Sequence, residues 1–196
     1  MATQVNEELS KMDVLINNAG VLKSAVTHNK DGWDLRYVVN YFAPYLLTRE
    51  LIPLLEKGNE SRIINLSSAA QDAVSYEVLS GKANDSERAT YGQSKLTLTM
   101  WSFDLAKKLN GITVIPVNPG SLLQTKMVKE AFGEFWSSAD KGADILYDLA
   151  VSEKYKGVTG KYFDNDQGGF GKAHPDAYDN EAIAKLIEKT ESIIDN

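Results

Sequence analysis

Two residues of one short stretch, YGQSK at positions 91–95, have the types and spacing for acid–base chemistry. Tyr91 and Lys95 are four positions apart, so a helix would place them on one face about one turn apart. A phenol has a pKa of about 10, so a tyrosine that works near pH 7 needs roughly three units of lowering, about 4 kcal/mol. An ammonium group about 4 Å away, at an effective dielectric constant near 20, supplies about 4 kcal/mol. The pair therefore allows a lysine-assisted tyrosine acid/base, while a solvated stripe on a helix is the more common role.

Other candidate side chains stand at the ends of apolar runs. Ser67 and Ser68 end the run RIINLSS, where a serine either caps a turn or donates a hydrogen bond to a carbonyl oxygen. The motif NNAG at 17–20 also suits a strand-ending turn, because Asn and Gly tolerate unusual backbone angles. Asn40 lies in a helical stretch, where a satisfied polar residue is more common than a functional one. No one of these residues identifies a function alone.

The elements that must position these residues alternate along the chain. Four apolar runs predict buried strands: VLI at 14–16, RIINLSS from 62, ITVIPVNPG from 112 and GKYF at 160–163. Helical spacing predicts helices at 31–56, 87–109, 139–151 and from Asn180, which is the predicted N-cap of the last helix. Pro44 and Pro53 are expected to kink or divide the first helix. The polar segment 75–87 predicts a surface loop.

This alternation predicts an α/β fold, with a parallel sheet covered by helices on both faces. The chain has 196 residues and no break in composition, so one domain spanning 1–196 is expected. Ligands of such sheets bind beyond the carboxyl ends of the strands. The motifs NNAG, SS and NPG stand at three of these ends, and YGQSK lies on the helix between the last two.

Composition excludes several classes of function. The chain has 21 basic and 27 acidic residues, and its net charge of −6 disfavours nucleic acid and anionic lipid as partners. It has no cysteine, which excludes disulfides, thiolate catalysis and zinc–thiolate sites and favours an intracellular compartment. No apolar run approaches the roughly 18 residues of a membrane span. We therefore expect a cytoplasmic protein without a membrane partner.

The motifs NNAG, VVNYFAPYLLT, RIINLSS, YGQSK and VNPG, taken in order, closely resemble those of the short-chain dehydrogenase/reductase family. The resemblance covers essentially the whole chain and implies a Rossmann-type fold and hydride transfer between NAD or NADP and an alcohol or carbonyl. It implies a catalytic tetrad of Asn40, Ser68, Tyr91 and Lys95. In that tetrad Tyr91 exchanges a proton with the substrate oxygen, and Lys95 lowers its pKa and holds the nicotinamide ribose. Ser68, the second serine of its pair, orients the carbonyl, and Asn40 positions a water molecule.

The resemblance also implies the positions that contact the cofactor. They are Asn18, Ala19 and Gly20 near the adenosine, Tyr91 and Lys95 at the ribose, and Pro119 and Gly120 beside the nicotinamide. Thr125 is a further candidate, one position later than the threonine that usually follows Pro-Gly in this family. The long interval between Ser68 and Tyr91, with YGQSKL and GVTGKYF, is most similar to the retinol-dehydrogenase-like branch.

Members of this family carry a glycine-rich TGxxxGxG turn and further strand and helix units before NNAG. Two such units need roughly 60 residues, and 16 residues precede Asn17 here. We therefore expect an N-terminally truncated member without the pyrophosphate turn or the residue that selects NAD or NADP. An unpaired edge at 14–16 predicts self-association. The alternative to an enzyme is a non-catalytic fragment or an interaction or regulatory protein on the same scaffold.

The segment LLQTKMVKEAFGEFW at 122–136 mixes apolar and charged residues. The resemblance places a substrate lid there, and its apolar residues would favour a small apolar alcohol or carbonyl. These residues are Leu122, Leu123, Met127, Phe132 and Trp136. The alternative is an amphipathic helix packed on the sheet.

No metal site is predicted. The motif DNDQGG at 164–169 resembles a calcium loop because Gly169 occupies its sixth position, but Pro175 stands where the twelfth position requires glutamate, so calcium binding is not expected. His28 and His174 lack partners at a ligand spacing. The glycine-rich stretch from Asp166 leads into HPD and not into a helix, so a loop is favoured over a phosphate cradle.

Overall fold

A five-stranded sheet organises the computed structural model, which describes residues 1–195. The strands, in their spatial order, are β1 (Val14–Asn17), β2 (Arg62–Leu66), β3 (Thr113–Asn118), β4 (Phe163–Asp164) and β5 (Gly169–Phe170). The first four run parallel, as predicted, and β5 pairs antiparallel with β4. The fourth strand begins at Phe163 and not at Gly160, and β5 is an element that the sequence did not predict.

Helices lie on both faces of this sheet. They are α1 (Ala2–Glu8), α2 (Leu35–Tyr37), α3 (Ala43–Leu55), α4 (Tyr76–Leu79), α5 (Glu87–Lys108), α6 (Lys126–Phe132), α7 (Ala139–Val151) and α8 (Asn180–Ile194). Short 3₁₀ helices occupy Glu153–Tyr155 and Pro175–Tyr178. The predicted α/β architecture is therefore confirmed. No helix within residues 1–195 is both long and apolar enough to cross a bilayer.

The first predicted helix begins at Leu35 and not at residue 31, because the Asp34 carboxylate caps it by accepting from the Arg36 amide. A π-helical turn (Val38–Phe42) joins α2 to α3 directly before Pro44. Proline has no N–H to donate to the carbonyl four residues earlier, so the regular α-helical ladder is interrupted at this point. Pro53 lies inside α3 without ending it.

Two further boundaries differ from prediction. The segment 75–87 is not a loop throughout, because Ser75 caps the short helix α4 by accepting from the Val78 amide. The last helix is capped by Asp179 and not by Asn180, since the Asp179 carboxylate accepts from the amides of Glu181 and Ala182. A side chain that satisfies two free amides at once is a strong helix start.

The core has two parts, one on each face of the sheet. On one face, Trp101 of α5 packs in an aromatic cluster with Tyr41 and Tyr45. On the other face, Leu149 of α7 packs over Ile64 and the strands beside it. All residues of β2 and β3 are buried, which explains why the central residues of these strands are mostly apolar.

Strand β1 lies at the edge of the sheet and pairs with β2. The Asn17 side chain donates to Asn65 Oδ1 at 2.7 Å and to Thr48 Oγ1 at 3.1 Å, and Asn65 donates to Ser102 Oγ at 2.8 Å. These buried hydrogen bonds link the carboxyl ends of β1 and β2 to helices α3 and α5. Ile16, in contrast, remains 39% exposed.

Candidate active site

The predicted site residues lie where three parallel strands end. β1 leads into Asn18, Ala19 and Gly20, and β2 leads into Ser67 and Ser68. Pro119 and Gly120 follow β3, and α5, capped at its start by Ser86, carries Tyr91 and Lys95. Parallel strands bring their carboxyl ends to one edge, so the topology itself gathers these segments.

Tyr91 and Lys95 share one face of α5, as their spacing predicted. The Lys95 Nζ atom lies 5.6 Å from the centroid of the Tyr91 ring. The same Nζ donates a 2.7 Å hydrogen bond to the carbonyl oxygen of Leu66, the last residue of β2. Lys95 therefore ties α5 to the strand end that carries the serine pair.

The two serines after β2 have different surroundings. The Ser67 hydroxyl is buried, donating to the Lys95 carbonyl at 3.1 Å and sharing a 2.6 Å hydrogen bond with the Thr99 hydroxyl. Ser68 is half-buried, and its side chain hydrogen-bonds with that of Tyr91. Of the pair, the structure brings Ser68 to the tyrosine and packs Ser67 against α5.

Burial dominates the ionisation of the central pair. It raises the pKa of Tyr91, and the hydrogen bond with Ser68 lowers the pKa by less. Burial also lowers the pKa of Lys95 to about 8. The pKa of Tyr91 is thus above its ordinary value and not below it, so its lowering by Lys95 stays a prediction. Two neighbouring groups whose pKa values are both shifted by burial are typical of functional sites.

Asn40 lies on the π-helical turn and is 1% exposed. Its Oδ1 accepts from the Val21 amide at 2.8 Å, and its Nδ2 donates to the Val21 carbonyl at 3.0 Å and to Ser94 Oγ at 2.9 Å. Through these hydrogen bonds, Asn40 joins the loop after β1 to α5. Its predicted role in positioning water stays a prediction.

Gly20 marks the place where this loop, α5 and the segment after β3 converge. A methyl group added to Gly20 would lie 3.5 Å from Asn40 Oδ1, from Lys95 Nζ and from Met127 Cε. Gly20 is half-buried, whereas Asn18 and Ala19 before it are exposed at the sheet edge. Gly20 therefore lies beside Lys95 of the predicted catalytic pair.

The segment after β3 contains three of the predicted cofactor residues, Pro119, Gly120 and Thr125. Gly120 has a φ angle of 130°, a backbone angle that favours glycine, and its amide donates to Asn118 Oδ1 at 3.2 Å. Thr125 caps α6, where its hydroxyl accepts from the Val128 amide at 3.3 Å. Thr125 therefore has a structural role as the N-cap of α6, and its contact with a cofactor stays a prediction.

The proposed lid segment is not a helix packed on the sheet, because none of the residues of α6 is buried. Phe132, Phe135 and Trp136 are 50%, 49% and 73% exposed. Leu123 is buried, and it packs so closely on α7 that a methyl group on Gly142 would lie 2.6 Å from its Cδ1 atom. The segment is thus anchored at its start and leaves its aromatic side chains in solvent.

Sequence reasoning missed two groups that support the site. The Tyr162 hydroxyl and the Gln71 side chain each donate a 2.9 Å hydrogen bond to the carbonyl oxygen of Ser68. The turn between β4 and β5 holds the loop after β3 through Asp166. In the sequence, only the motif DNDQGG drew attention to that turn, and it did not fit a calcium loop. No cluster within residues 1–195 has the side chains to hold a metal ion.

Comparison with known proteins agrees with this geometry. The model of the short chain dehydrogenase family matches residues 1–134. Retinol dehydrogenase 13 of Mus musculus is 32% identical over an alignment that covers 98% of this chain and 63% of that protein. The chain therefore spans less than two thirds of the length of this curated relative.

Solved structures show the same fold. An uncharacterized protein from Mycobacterium paratuberculosis has a TM-score of 0.76 at 20% identity, covering all of this chain and 71% of that one. The NADPH-bound carbonyl reductase from chicken fatty liver has a TM-score of 0.62 at 24% identity, with coverages of 88% and 71%. The family model spans most of the chain, and the relatives in sequence include several retinol dehydrogenases. The chain thus belongs to the short-chain dehydrogenase family and is similar to its retinol dehydrogenases.

Proposed function

We propose that this protein is an oxidoreductase that transfers a hydride between NAD or NADP and an alcohol or carbonyl, with Tyr91 as acid/base. The observation that carries this proposal is the meeting of Ser68, Tyr91 and Lys95 at the carboxyl ends of β1 to β3. Family membership supports the reaction class, and NADPH in the chicken carbonyl reductase supports the cofactor class. The proposal leaves the choice between NAD and NADP open.

The residues present suit a nicotinamide cofactor at its ribose end. The Lys95 ammonium has three protons, of which the Leu66 carbonyl takes one, and the phenol of Tyr91 is a further donor or acceptor. Asn18 and Ala19 are exposed to solvent at the neighbouring sheet edge. When bound, the nicotinamide supplies or accepts the hydride. The chain's own residues handle the substrate oxygen and its proton.

The ionisation of Tyr91 favours the direction of carbonyl reduction. Because burial raises its pKa, the phenol is protonated at neutral pH and can give its proton to the oxygen that becomes the alcohol. The Ser68 hydroxyl lies beside it and can donate a second hydrogen bond to the same oxygen. Both groups are held in place before substrate arrives, because Tyr91 lies on α5 and the Ser68 carbonyl accepts hydrogen bonds from Tyr162 and Gln71.

The first test is a titration of the 196-residue protein with NADPH and with NADH, followed by cofactor fluorescence and by calorimetry. Saturable binding that weakens about tenfold or more in Lys95→Met, through loss of a charged hydrogen bond, would support the proposal. Absence of binding by both cofactors would contradict it. The alternative, a non-catalytic protein on this scaffold, would then be favoured.

For the substrate, we propose a small apolar alcohol or carbonyl compound that contacts the lid. Met127 reaches Gly20, and Phe132 and Trp136 extend from the same segment into solvent. We expect the double change Phe132→Ala and Trp136→Ala to raise KM for apolar carbonyls about tenfold or more, because the apolar area they bury on closure is lost. The control is Tyr147→Ala, since Tyr147 is as exposed as Trp136 but lies on α7. Equal KM values in all three proteins would contradict the lid.

For assembly, we propose that two copies associate through β1. This strand lies at the sheet edge, and Ile16 exposes apolar surface there. Sedimentation should show a dimer or larger species, and Ile16→Lys should shift it toward monomer, because a charge on an edge strand opposes pairing. A stable monomer of the unchanged protein would contradict self-association.

A further inference from the structure

The turn between β4 and β5 reaches across to the loop that follows β3. Three consecutive residues at this turn form hydrogen bonds with the loop or with Asn118 directly before it. They are Asp164, the last residue of β4, and the turn residues Asn165 and Asp166. The sequence carried no sign of this contact, since the two segments are more than 40 residues apart. We call these three residues the β-turn clamp.

Asp166 makes the largest set of these contacts. Its Oδ1 accepts from the Ser121 amide at 2.9 Å, and its Oδ2 accepts from Ser121 Oγ at 2.5 Å and from Asn118 Nδ2 at 2.9 Å. The Lys141 ammonium lies 3.9 Å from Oδ1. Both carboxylate oxygens are therefore used by the protein. Hydrogen bonds to an ionised acceptor are about twice as strong as neutral ones.

The other two clamp residues act on the same loop. Asn165 Nδ2 donates to the Pro119 carbonyl at 2.8 Å and to the Lys141 carbonyl at 3.1 Å, which joins the loop to the start of α7. Asp164 Oδ1 accepts from Asn118 Nδ2 at 2.9 Å and from the Asp166 amide at 3.1 Å. The Asn118 side chain, held by both carboxylates, accepts from the Gly120 amide in turn.

These contacts matter because the loop and the residues after it adopt unusual backbone angles. Gly120 has a φ angle of 130°, and Leu122 has a φ angle of 47°, which is uncommon for a side chain of its kind. A loop with two such residues keeps one conformation only when its surroundings determine it. Here those surroundings are the clamp on residues 118–121, the packing of Leu123 on α7, and the backbone hydrogen bonds that Leu122 and Gln124 form with Trp136 and Ser137 at 2.9 and 2.8 Å.

We propose that the β-turn clamp, with Asp166 as its main positioning residue, fixes the conformation of the loop 119–121 at the carboxyl end of β3, the sheet edge that also carries the catalytic pair. Asp166 does not touch the reacting atoms, so it acts through Ser121 and Asn118. The consequence for cofactor binding rests on the proposed function. The positioning itself does not, because the contacts lie wholly within the chain.

The test is Asp166→Asn, which keeps the side-chain shape but removes the charge and one accepting oxygen. An amide offers one oxygen and one NH₂ group, so it cannot accept from the Ser121 amide on one side and from Ser121 Oγ and Asn118 on the other. We expect the Ser121 amide to exchange with deuterium about tenfold to one-hundredfold faster, from loss of a charge-assisted bond. The matched control is Asp144→Asn, an exposed aspartate on α7 with the same change of charge.

Amide exchange in β2 separates a local effect from general destabilisation. Faster exchange confined to the loop supports the clamp, whereas unchanged exchange at Ser121, or equal acceleration in β2, overturns it. Ser121→Ala is a milder variant, with an expected exchange rise of a few-fold from loss of one partner, for use if Asp166→Asn does not fold.

A nicotinamide titration of the same variants tests the link to function. We expect affinity for the cofactor that binds the unchanged protein to fall about tenfold in Asp166→Asn and to stay unchanged in Asp144→Asn. Faster loop exchange with unchanged affinity would overturn the role in positioning the site. If the unchanged protein binds neither NADPH nor NADH, the proposed function fails, and the exchange result alone still decides the clamp.

Discussion

Replacing Tyr91 with phenylalanine is expected to lower the rate of carbonyl reduction about 100-fold to 10,000-fold, the range that a positioned general acid contributes. The change removes the hydroxyl that hydrogen-bonds with Ser68 and leaves the ring in its place on α5. Nicotinamide affinity should change little, because the Lys95 ammonium and its bond to Leu66 remain. The loss should therefore appear in kcat, as expected for an interaction made in the transition state.

The measurement is the loss of NADPH or NADH fluorescence in the presence of a panel of apolar aldehydes and ketones. Tyr147→Phe serves as the matched control, since Tyr147 is an exposed tyrosine on α7. A Tyr91→Phe protein that keeps its full rate would exclude Tyr91 as the acid. The rate of the unchanged protein should persist through neutral pH, because the raised pKa of Tyr91 keeps its proton in place there.

Replacing Arg36 with methionine is expected to lower the free energy of unfolding by about 3–5 kcal/mol, the cost of breaking a buried ion pair. The Arg36 side chain is 2% exposed, and its Nε and Nη2 atoms donate to the two oxygens of Asp34 at 2.9 and 2.8 Å. Its Nη1 donates to Glu87 at 3.1 Å and to the Leu22 carbonyl at 3.2 Å. Without the arginine, Asp34 is a buried charge without its partner.

Urea unfolding of three variants would isolate this effect. The double change Asp34→Asn with Arg36→Met should recover part of the lost stability, because it removes the unpaired charge as well. Arg49→Met is the surface control, with an expected change below about 1 kcal/mol, since Arg49 is 48% exposed and its pair with Glu50 spans 4.0 Å. A cost below about 1 kcal/mol for Arg36→Met would show that the buried pair contributes little.

The same arginine connects stability to the site. Leu22 follows Val21, which Asn40 holds through both backbone groups. Losing the bond from Arg36 to Leu22 therefore loosens the loop that carries Gly20. We expect the amides of this loop to exchange faster in Arg36→Met than the amides of β3, in the same native-state exchange experiment.

Local sequence was sufficient to predict the alternation of β1 to β3 with the long helices and to place the candidate residues at the ends of these strands. Runs rich in Ile, Leu and Val predicted β2 and β3 because both faces of these strands are buried. Four-residue spacing predicted that Tyr91 and Lys95 share a face because helix geometry is local. It could not predict β4 and β5 correctly, because strands of two residues form only through their pairing with each other and with β3.

Long-range packing decided the chemistry of the pair. The spacing of Tyr91 and Lys95 predicted that the lysine would lower the pKa of the tyrosine. It could not predict desolvation, because burial depends on the surrounding core. Burial raises the pKa of Tyr91 instead. The same dependence assigned Ser67 to the core and Ser68 to the site, since these neighbours differ only in what packs against them.

The amino-acid sequence by itself thus determined the alternation of strand and helix, the motifs that place the chain in its family, and the sheet edge where the candidate site lies. These features depend on residue types at short spacings, which can be read directly from the amino-acid sequence. The tertiary structure alone decided the clamp of Asp166 on Ser121, the support of Ser68 by Tyr162, and the ionisation of Tyr91. Each of these depends on groups far apart in the chain, whose distance and burial exist only after folding.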